Sequence, residues 1–221
     1  LKKYGHIGAM GYWFIYLPWF LYLERTVVRD YTVMHVRLDD FIPFNEYFVI
    51  PYLMWFIYVA GTLGYFFFVS KHEYYRLCTF LFTGMTISLL VYTFFPNGTD
   101  LRISVDSHKN FCSFLVSLIH AADTSTNVFP SIHVYNSLGV HAAIMKSAVL
   151  QERVWVRKFS FLLMMAICLS TMFLKQHSVF DVITGCIAAT VMYTLVYGGE
   201  LLAGKKRVYK RPYRGVQEGQ S

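Results

Sequence analysis

Long apolar runs separated by polar stretches dominate the chain. Runs of about 18 residues or more predict membrane-spanning helices, because a helix rises 1.5 Å per residue and the hydrocarbon core is about 30 Å thick. The six runs cover residues 7–23, 48–70, 74–95, 131–149, 155–174 and 178–203. The pattern predicts an all-α bundle of six transmembrane helices, formed by one membrane-embedded domain over residues 1–204.

Two of the connecting stretches are long enough to carry structure of their own. Residues 24–47 mix acids, proline and aromatics, which predicts an ordered segment at the membrane interface. The middle of residues 96–130 has apolar residues at helical spacing, at Phe111, Leu115, Leu118 and Ile119. This spacing predicts a short amphipathic helix lying in the interface.

Composition supports the membrane class. Hydrophobic residues make up 56% of the chain and charged residues 15%, whereas charged residues form about 25% of soluble domains. The four cysteines show no paired spacing, so they predict buried thiols and not a disulfide framework. A soluble globular class is therefore disfavoured.

The net charge of +7 is distributed unevenly along the chain. Lys and Arg concentrate on the cytoplasmic side of membrane proteins. With six helices, most basic residues fall on the side of the two termini, and the exceptions are Arg25, Arg29, Arg37, Arg102, Lys109 and Lys175. Both termini are therefore predicted to be cytoplasmic in a multi-pass protein of the cell membrane. Residues 205–221 are predicted to form a basic, flexible tail that suits the anionic inner leaflet and requires no nucleic acid partner.

Three polar clusters fall on the opposite, extracytoplasmic side. They occupy residues 96–102, 129–133 and 175–181, at the ends of the predicted third, fourth and sixth helices. Charged and polar residues are costly at membrane depth, so their convergence there favours a functional site. The site is predicted at the extracytoplasmic face.

The third cluster has the pattern of an activated histidine. His177 and Asp181 are four positions apart, so a helix would place them on one face. A carboxylate that accepts a hydrogen bond from one ring nitrogen leaves the other nitrogen free to act as a nucleophile. On its own, the pair is equally typical of a helix start with an interfacial acid.

The other clusters provide groups suited to a phosphate. Ser131 follows a proline and is a good N-cap, and the free amides of the helix turn that follows can bind an anion. His133, in that turn, can donate a proton to a leaving oxygen. Arg102 has the forked geometry that suits phosphate and Lys175 supplies a point charge. Each basic residue alone is more typical of a headgroup contact; the set together predicts a phosphate site.

Two clusters resemble motifs of the type 2 phosphatidic acid phosphatase superfamily. Residues 130–133 read Pro-Ser-Ile-His, which is similar to its P-S-x-H motif. Residues 170–181 are similar in spacing to its S-R-x5-H-x3-D motif, with His177 and Asp181 in place. Arg102 falls where the first motif has a phosphate-binding Arg. The six-helix layout matches the integral-membrane branch, so the resemblance covers most of the chain.

The resemblance implies metal-free hydrolysis of a lipid phosphate through a phosphohistidine. His177 would be the nucleophile, His133 the general acid and Asp181 the residue that orients the nucleophile. Ser131 and Arg102 would hold the phosphate, and no cofactor is required. Phosphatidic acid, phosphatidylglycerol phosphate and an isoprenyl pyrophosphate are candidate substrates.

Three positions depart from the family pattern. Phe95 stands in place of the first-motif Lys, Thr171 in place of the third-motif Arg, and Ile132 in place of the usual Gly. Lys175 is a candidate to replace one lost charge. A bulky residue in P-S-x-H also resembles the inositol phosphorylceramide synthase branch, which transfers a headgroup instead of hydrolysing it.

Three other functions stay open at this stage. One is a lipid phosphotransferase in which an alcohol takes the phosphoryl group, and another is a non-catalytic lipid-binding membrane protein. The third is a metal site, for which the candidate ligands are His120, Asp123, His133, His141, His177 and Asp181. Metal sites need three or more convergent ligands, and nothing in the spacing joins these, so the metal site is the weakest of the three. His141 is better interpreted as a polar contact between helices.

Overall fold

The computed structural model describes residues 2–202, which form a mainly helical chain. The α-helices are α1 (Trp13–Thr26), α2 (Val49–Val69), α3 (Lys71–Phe94), α4 (Phe111–Ala122), α5 (Ile132–Lys146), α6 (Val154–Phe173) and α7 (Val179–Leu202). Three 3-10 helices cover Lys2–Tyr12, Arg37–Phe41 and Glu46–Phe48. The prediction of a mainly helical fold is confirmed, whereas the basic tail at residues 205–221 lies outside the described residues.

Within residues 2–202, four helices are long and apolar enough to cross a membrane: Glu46–Val69, Lys71–Phe94, Val154–Phe173 and Val179–Gly198. They correspond to the predicted second, third, fifth and sixth spans. The other two predicted spans contain shorter helices, since α1 has 14 residues and α5 has 15. The first run is divided because residues 2–12 wind as a 3-10 helix before α1 begins. The fourth run ends early because α5 stops at Lys146, before a turn at residues 148–152.

Polar side chains set the starts of several helices. The side chain of Ser70 accepts from the Glu73 amide at the start of α3, and the Asn110 side chain accepts from the Ser113 amide at the start of α4. At α5 the Ser131 side chain accepts from the Val134 amide, which confirms Ser131 as the N-cap. Such caps satisfy amides that have no partner within the helix.

Helix α4 confirms the helix predicted from the spacing of apolar residues between the third and fourth spans. Val116 is fully buried, so one face packs on the bundle. Phe111, Phe114 and Leu118 lie on the other side and are largely exposed. An exposed apolar face of this kind suits contact with lipid at the interface.

Helix α5 occupies the centre and lies against α2, α3, α6 and α7. Its contact with α3 is close because glycines face aromatic rings: Gly84 faces Tyr135, and Gly139 faces Phe80. The Tyr135 hydroxyl also donates to the Phe80 carbonyl oxygen at 2.7 Å. The central position of α5 carries Ser131 and His133, at its start, to the middle of one end of the bundle.

At that end, the connecting segments are tied to one another. Two short strands, β1 (Thr32–Val33) and β2 (Asn97–Gly98), pair in parallel, with Thr32 opposite Asn97. The buried Asn97 side chain accepts from the amides of Val128 and Phe129 and so fixes the segment that leads into α5. Segments distant in sequence are thereby brought to the same end as the starts of α5 and α7.

Candidate functional site

His177 lies in the tight connection between α6 and α7. The amides of Gln176 and His177 both donate to the Thr171 carbonyl oxygen, at 2.9 and 3.1 Å, which holds the connection against the end of α6. Asp181 follows in the first turn of α7, so its carboxylate returns towards His177. The distance from Asp181 Oδ2 to His177 Nδ1 is 3.6 Å, and both side chains are buried. With Nδ1 facing the carboxylate, Nε2 is the ring nitrogen left for chemistry.

His133 lies across from His177. The two ring centroids are 5.7 Å apart, in an edge-on arrangement. On its other side the His133 ring stacks on Tyr52 at 4.6 Å and lies against Trp55 at 4.4 Å. Two aromatic rings from α2 therefore pack against the half-buried His133 ring and hold it beside the second histidine.

Ser131 joins the starts of α5 and α7. Its amide donates to the Asp181 carbonyl oxygen at 3.3 Å, and its hydroxyl oxygen accepts from the Val134 amide at 3.5 Å. The helices approach closely here because Gly185 faces this turn, where an added Cβ would lie 3.0 Å from the Ser131 carbonyl oxygen. Ser131 is fully buried, so its observed contacts link the two helix starts.

Arg102 joins three segments with its guanidinium. It donates to the carbonyl oxygens of Asp123 and Thr124, each at 2.6 Å, and to Gln176 Oε1 at 2.6 Å. Asp123 Oδ2 is a further contact at 3.4 Å. The contact with Gln176 places Arg102 beside the residue that precedes His177. Its buried Nε has no hydrogen-bond partner among the described residues, so a phosphate could accept from Nε without displacing these acceptors.

Lys175 points away from open solvent towards the segment between α1 and α2. Its ammonium donates to the Asp39 carbonyl oxygen at 2.6 Å, and its backbone has a φ of 57°, in the left-handed region that residues with a side chain seldom adopt. The Asp39 carboxylate in turn binds the start of α7. Asp39 was assigned no role from the sequence, because an acid in a polar loop gives no signal of a partner far along the chain.

Two further carboxylates, Glu24 and Asp123, lie near Arg102. Glu24 was assigned no role from the sequence, and Asp123 was considered only as a candidate metal ligand. Glu24, at the end of α1, accepts from the Thr124 amide at 3.0 Å, the Thr124 hydroxyl at 2.6 Å and Asn127 Nδ2 at 2.8 Å. Burial, together with the negative charge of Glu24, raises the pKa of Asp123 to about 7. The positive charge of Arg102 is therefore offset locally by carboxylates that organise residues 123–127.

A cavity of about 370 Å³ opens beside this cluster. Its lining includes Arg102, Asp123, His120 and Tyr31, together with the hydroxyl-bearing residues 124–126. The cavity is thus contiguous with the guanidinium that contacts Gln176. It offers space for a polar group beside Arg102, whereas His133 and His177 are not among the residues that line it.

The six candidate metal ligands are not gathered into one centre. Within residues 2–202, no group of three or more His, Cys, Asp or Glu side chains is placed to share an ion. His141 lies deeper in the bundle, where its Nδ1 is 2.9 Å from Ser160 Oγ, which is itself 2.6 Å from the Tyr58 hydroxyl. The interpretation of His141 as a polar contact between helices is confirmed.

Comparison of the chain with family models, with curated proteins and with solved structures finds no match. The resemblance to type 2 phosphatidic acid phosphatases therefore rests on the motif residues of this chain.

Proposed function

We propose that the protein is an integral membrane enzyme of the type 2 phosphatidic acid phosphatase class, which hydrolyses a lipid phosphate through a phosphohistidine. One observation carries the proposal: Asp181 Oδ2 lies 3.6 Å from His177 Nδ1, while the His133 ring is centred 5.7 Å from that of His177. A carboxylate, an oriented imidazole and a second imidazole are the groups that this chemistry requires. They come from α5, α7 and the turn before α7.

The first step would transfer the phosphoryl group to His177. Nε2 attacks phosphorus, the bond from phosphorus to the lipid oxygen breaks, and His133 donates a proton to that leaving oxygen. Asp181 holds the Nδ1 proton and stabilises the positive charge on the ring. The charge of the phosphoryl oxygens would be met by Arg102 and the free amides of the first turn of α5, with Lys175 as a further cation.

The second step would release the phosphate. His133, now neutral, takes a proton from a water molecule, the water oxygen attacks phosphorus, and the bond from phosphorus to Nε2 breaks. His177 and His133 return to their starting states, and inorganic phosphate leaves. The scheme uses no metal or cofactor.

The bundle would cross the membrane six times, with both termini in the cytoplasm and the site on the extracytoplasmic side. The two shorter helices are compatible with this layout for different reasons. Phe14 and Ile15 of α1 are 86% and 66% exposed, which suits a helix against lipid. Helix α5 is surrounded by other helices, so the thickness of the lipid does not set its length. The protein would then be a multi-pass component of the cell membrane.

A second candidate function is transfer of the phosphoryl group to an alcohol. The cavity of about 370 Å³ lined by Arg102 favours it, because a second substrate could bind there beside the guanidinium that is proposed to hold the phosphate. The first step would be unchanged. In the second step the hydroxyl of a lipid or polyol, in place of water, would give its proton to His133 and attack phosphorus.

The test uses purified protein in detergent with EDTA and a panel of lipid phosphates. We expect phosphate release that survives EDTA, that His177→Ala abolishes and that His141→Ala retains, since His141 lies outside the site. A labelled phosphate should also be trapped on His177 as an acid-labile adduct. Transfer to an added alcohol without phosphate release would support the second function. If neither release nor transfer occurs across the panel, the proposal fails.

A further inference from the structure

The first turn of α7 is capped by a residue far away in the sequence. Asp39 Oδ1 accepts from the Val179 amide at 2.8 Å, and Asp39 Oδ2 accepts from the Ser178 hydroxyl at 2.6 Å, across a sequence separation of 139 residues. The first amides of a helix have no partner within the helix, and a carboxylate at this end also interacts favourably with the helix dipole. Asp39 therefore fixes the start of the helix that carries Asp181.

The same residue also holds the chain on the other side of His177. The Asp39 carbonyl oxygen accepts from the Lys175 ammonium at 2.6 Å. Lys175 has a φ of 57°, so the turn before His177 is in a conformation that needs support from its surroundings. His177 thus lies between two points, Lys175 and Ser178, that are both bonded to Asp39.

Asp39 is itself held rigidly. It is 2% exposed, and its Oδ2 also accepts from the Val36 amide at 2.8 Å. Nearby, His35 Nδ1 lies 3.0 Å from Asp100 Oδ1, which ties this segment to the stretch after β2. The anchor for His177 is therefore fixed from more than one direction.

We propose that Asp39 is a positioning residue for His177. It holds residues 175–179 so that His177 Nδ1 faces Asp181 and Nε2 faces the phosphate. This inference rests on the proposed function, in which His177 is the nucleophile. Asp39 does not touch the reacting atoms; it acts through Ser178, Val179 and Lys175.

The kinetic test compares Asp39→Ala with the matched variant Asp40→Ala. Asp40 is the next carboxylate in the same segment, but it is exposed and bonded to His35 instead of α7. A misplacement of about 1 Å in a reacting group can cost about 10²-fold in rate. We therefore expect Asp39→Ala to lower kcat by about 10²-fold with little change in KM. Asp40→Ala should keep the kcat of the unmodified protein.

Two milder variants keep the test decisive if Asp39→Ala does not fold. Asp39→Asn keeps the size of the side chain and one acceptor oxygen for the Val179 amide. Ser178→Ala removes the hydroxyl that Asp39 Oδ2 accepts from. Both should lower kcat less than Asp39→Ala does. If both leave kcat unchanged in an active enzyme, the proposal is overturned.

Hydrogen exchange measured by mass spectrometry tests the contact without any substrate. In Asp39→Ala or Asp39→Asn, the peptide that contains residues 177–180 should exchange faster, while in Asp40→Ala it should not. Faster exchange together with an unchanged kcat would overturn the positioning role and leave the phosphatase intact. If the unmodified protein neither releases nor transfers phosphate, the proposed function fails and the positioning role fails with it, whatever the exchange shows.

Discussion

The carboxylate of Asp181 lies 3.6 Å from His177 Nδ1 and is held there by a second contact, because the same Oδ2 accepts from the Ser178 amide at 2.9 Å. The carboxylate cannot swing away without losing that bond. The distance to Nδ1 is slightly longer than a hydrogen bond, and contacts of this kind often shorten when substrate binds. His177 is therefore oriented even before the proposed substrate binds.

Replacing Asp181 by Asn tests this arrangement. An amide can present an NH2 group to Nδ1, which would favour the wrong ring tautomer and leave no proton acceptor for the Nδ1 proton. We expect kcat for phosphate release to fall about 10²-fold or more, with little change in KM. The control is Asp106→Asn, in an exposed loop. An Asp181→Asn protein with normal kcat would show that the carboxylate does not orient the nucleophile.

The closeness of α3 and α5 gives a prediction about stability. A Cβ added at Gly84 would overlap the ring of Tyr135, whose hydroxyl donates to the Phe80 carbonyl oxygen. Gly84→Ala should therefore lower the free energy of unfolding by about 1–3 kcal/mol, the usual cost of overpacking. The matched control is Gly61→Ala in α2, where an added Cβ meets nothing within 4 Å. Thermal unfolding in detergent should give a lower unfolding temperature for Gly84→Ala than for Gly61→Ala. Equal unfolding temperatures would contradict the close packing of α3 and α5.

Much of the helical layout could be predicted from the sequence because it depends on local patterns. The spacing of Phe111, Leu115 and Leu118 predicted α4, and the serine after Pro130 predicted the start of α5. The division of the first run was not predicted, because the winding of residues 2–12 as a 3-10 helix leaves the apolar pattern unchanged.

The supporting contacts of the site could not be predicted, because they join residues with no pattern in common. Asp39 and Glu24 lie in polar stretches where an acid gives no signal of its partner. Their partners, Ser178 and Thr124, are 139 and 100 positions away along the chain. Arg102 was identified from its position, yet its bonds to Gln176 and to residues 123–124 depend on how the loops fold. Such contacts follow from tertiary packing alone.

The raised pKa of Asp123 predicts a dependence of stability on pH. Burial, with the charge of Glu24, raises this pKa from 3.8 to about 7, so the folded protein binds this proton more tightly than the unfolded chain does. The stabilising contribution is fully present below the ordinary pKa and is lost as pH rises through about 7. Asn cannot lose a proton, so the Asp123→Asn protein does not lose this stability as pH rises. Its unfolding temperature should therefore exceed that of the unmodified protein by more at pH 8 than at pH 5. Asp106→Asn should show no such trend, and a pH-independent difference for Asp123→Asn would contradict the assignment.

The orientation of the bundle gives a prediction that needs no substrate. His108 lies in the exposed stretch before α4, at the end of the bundle that carries the site, and Glu152 lies in the exposed turn between α5 and α6, at the other end. The second end carries Lys146, Arg153 and Arg157, and an excess of basic residues marks the cytoplasmic side. A membrane-impermeant maleimide should therefore label His108→Cys in intact cells.

Glu152→Cys is the matched variant and should react only after the membrane is permeabilised. Both are made with Cys112→Ser, since the Cys112 thiol is partly exposed on α4. If Glu152→Cys alone were labelled in intact cells, the orientation of the bundle would be the reverse of the proposed one. His177 and Asp181 would then lie on the cytoplasmic side. Labelling of both variants in intact cells would mean that residues 108 and 152 lie on the same side, which would contradict the proposed crossing of the membrane by α5.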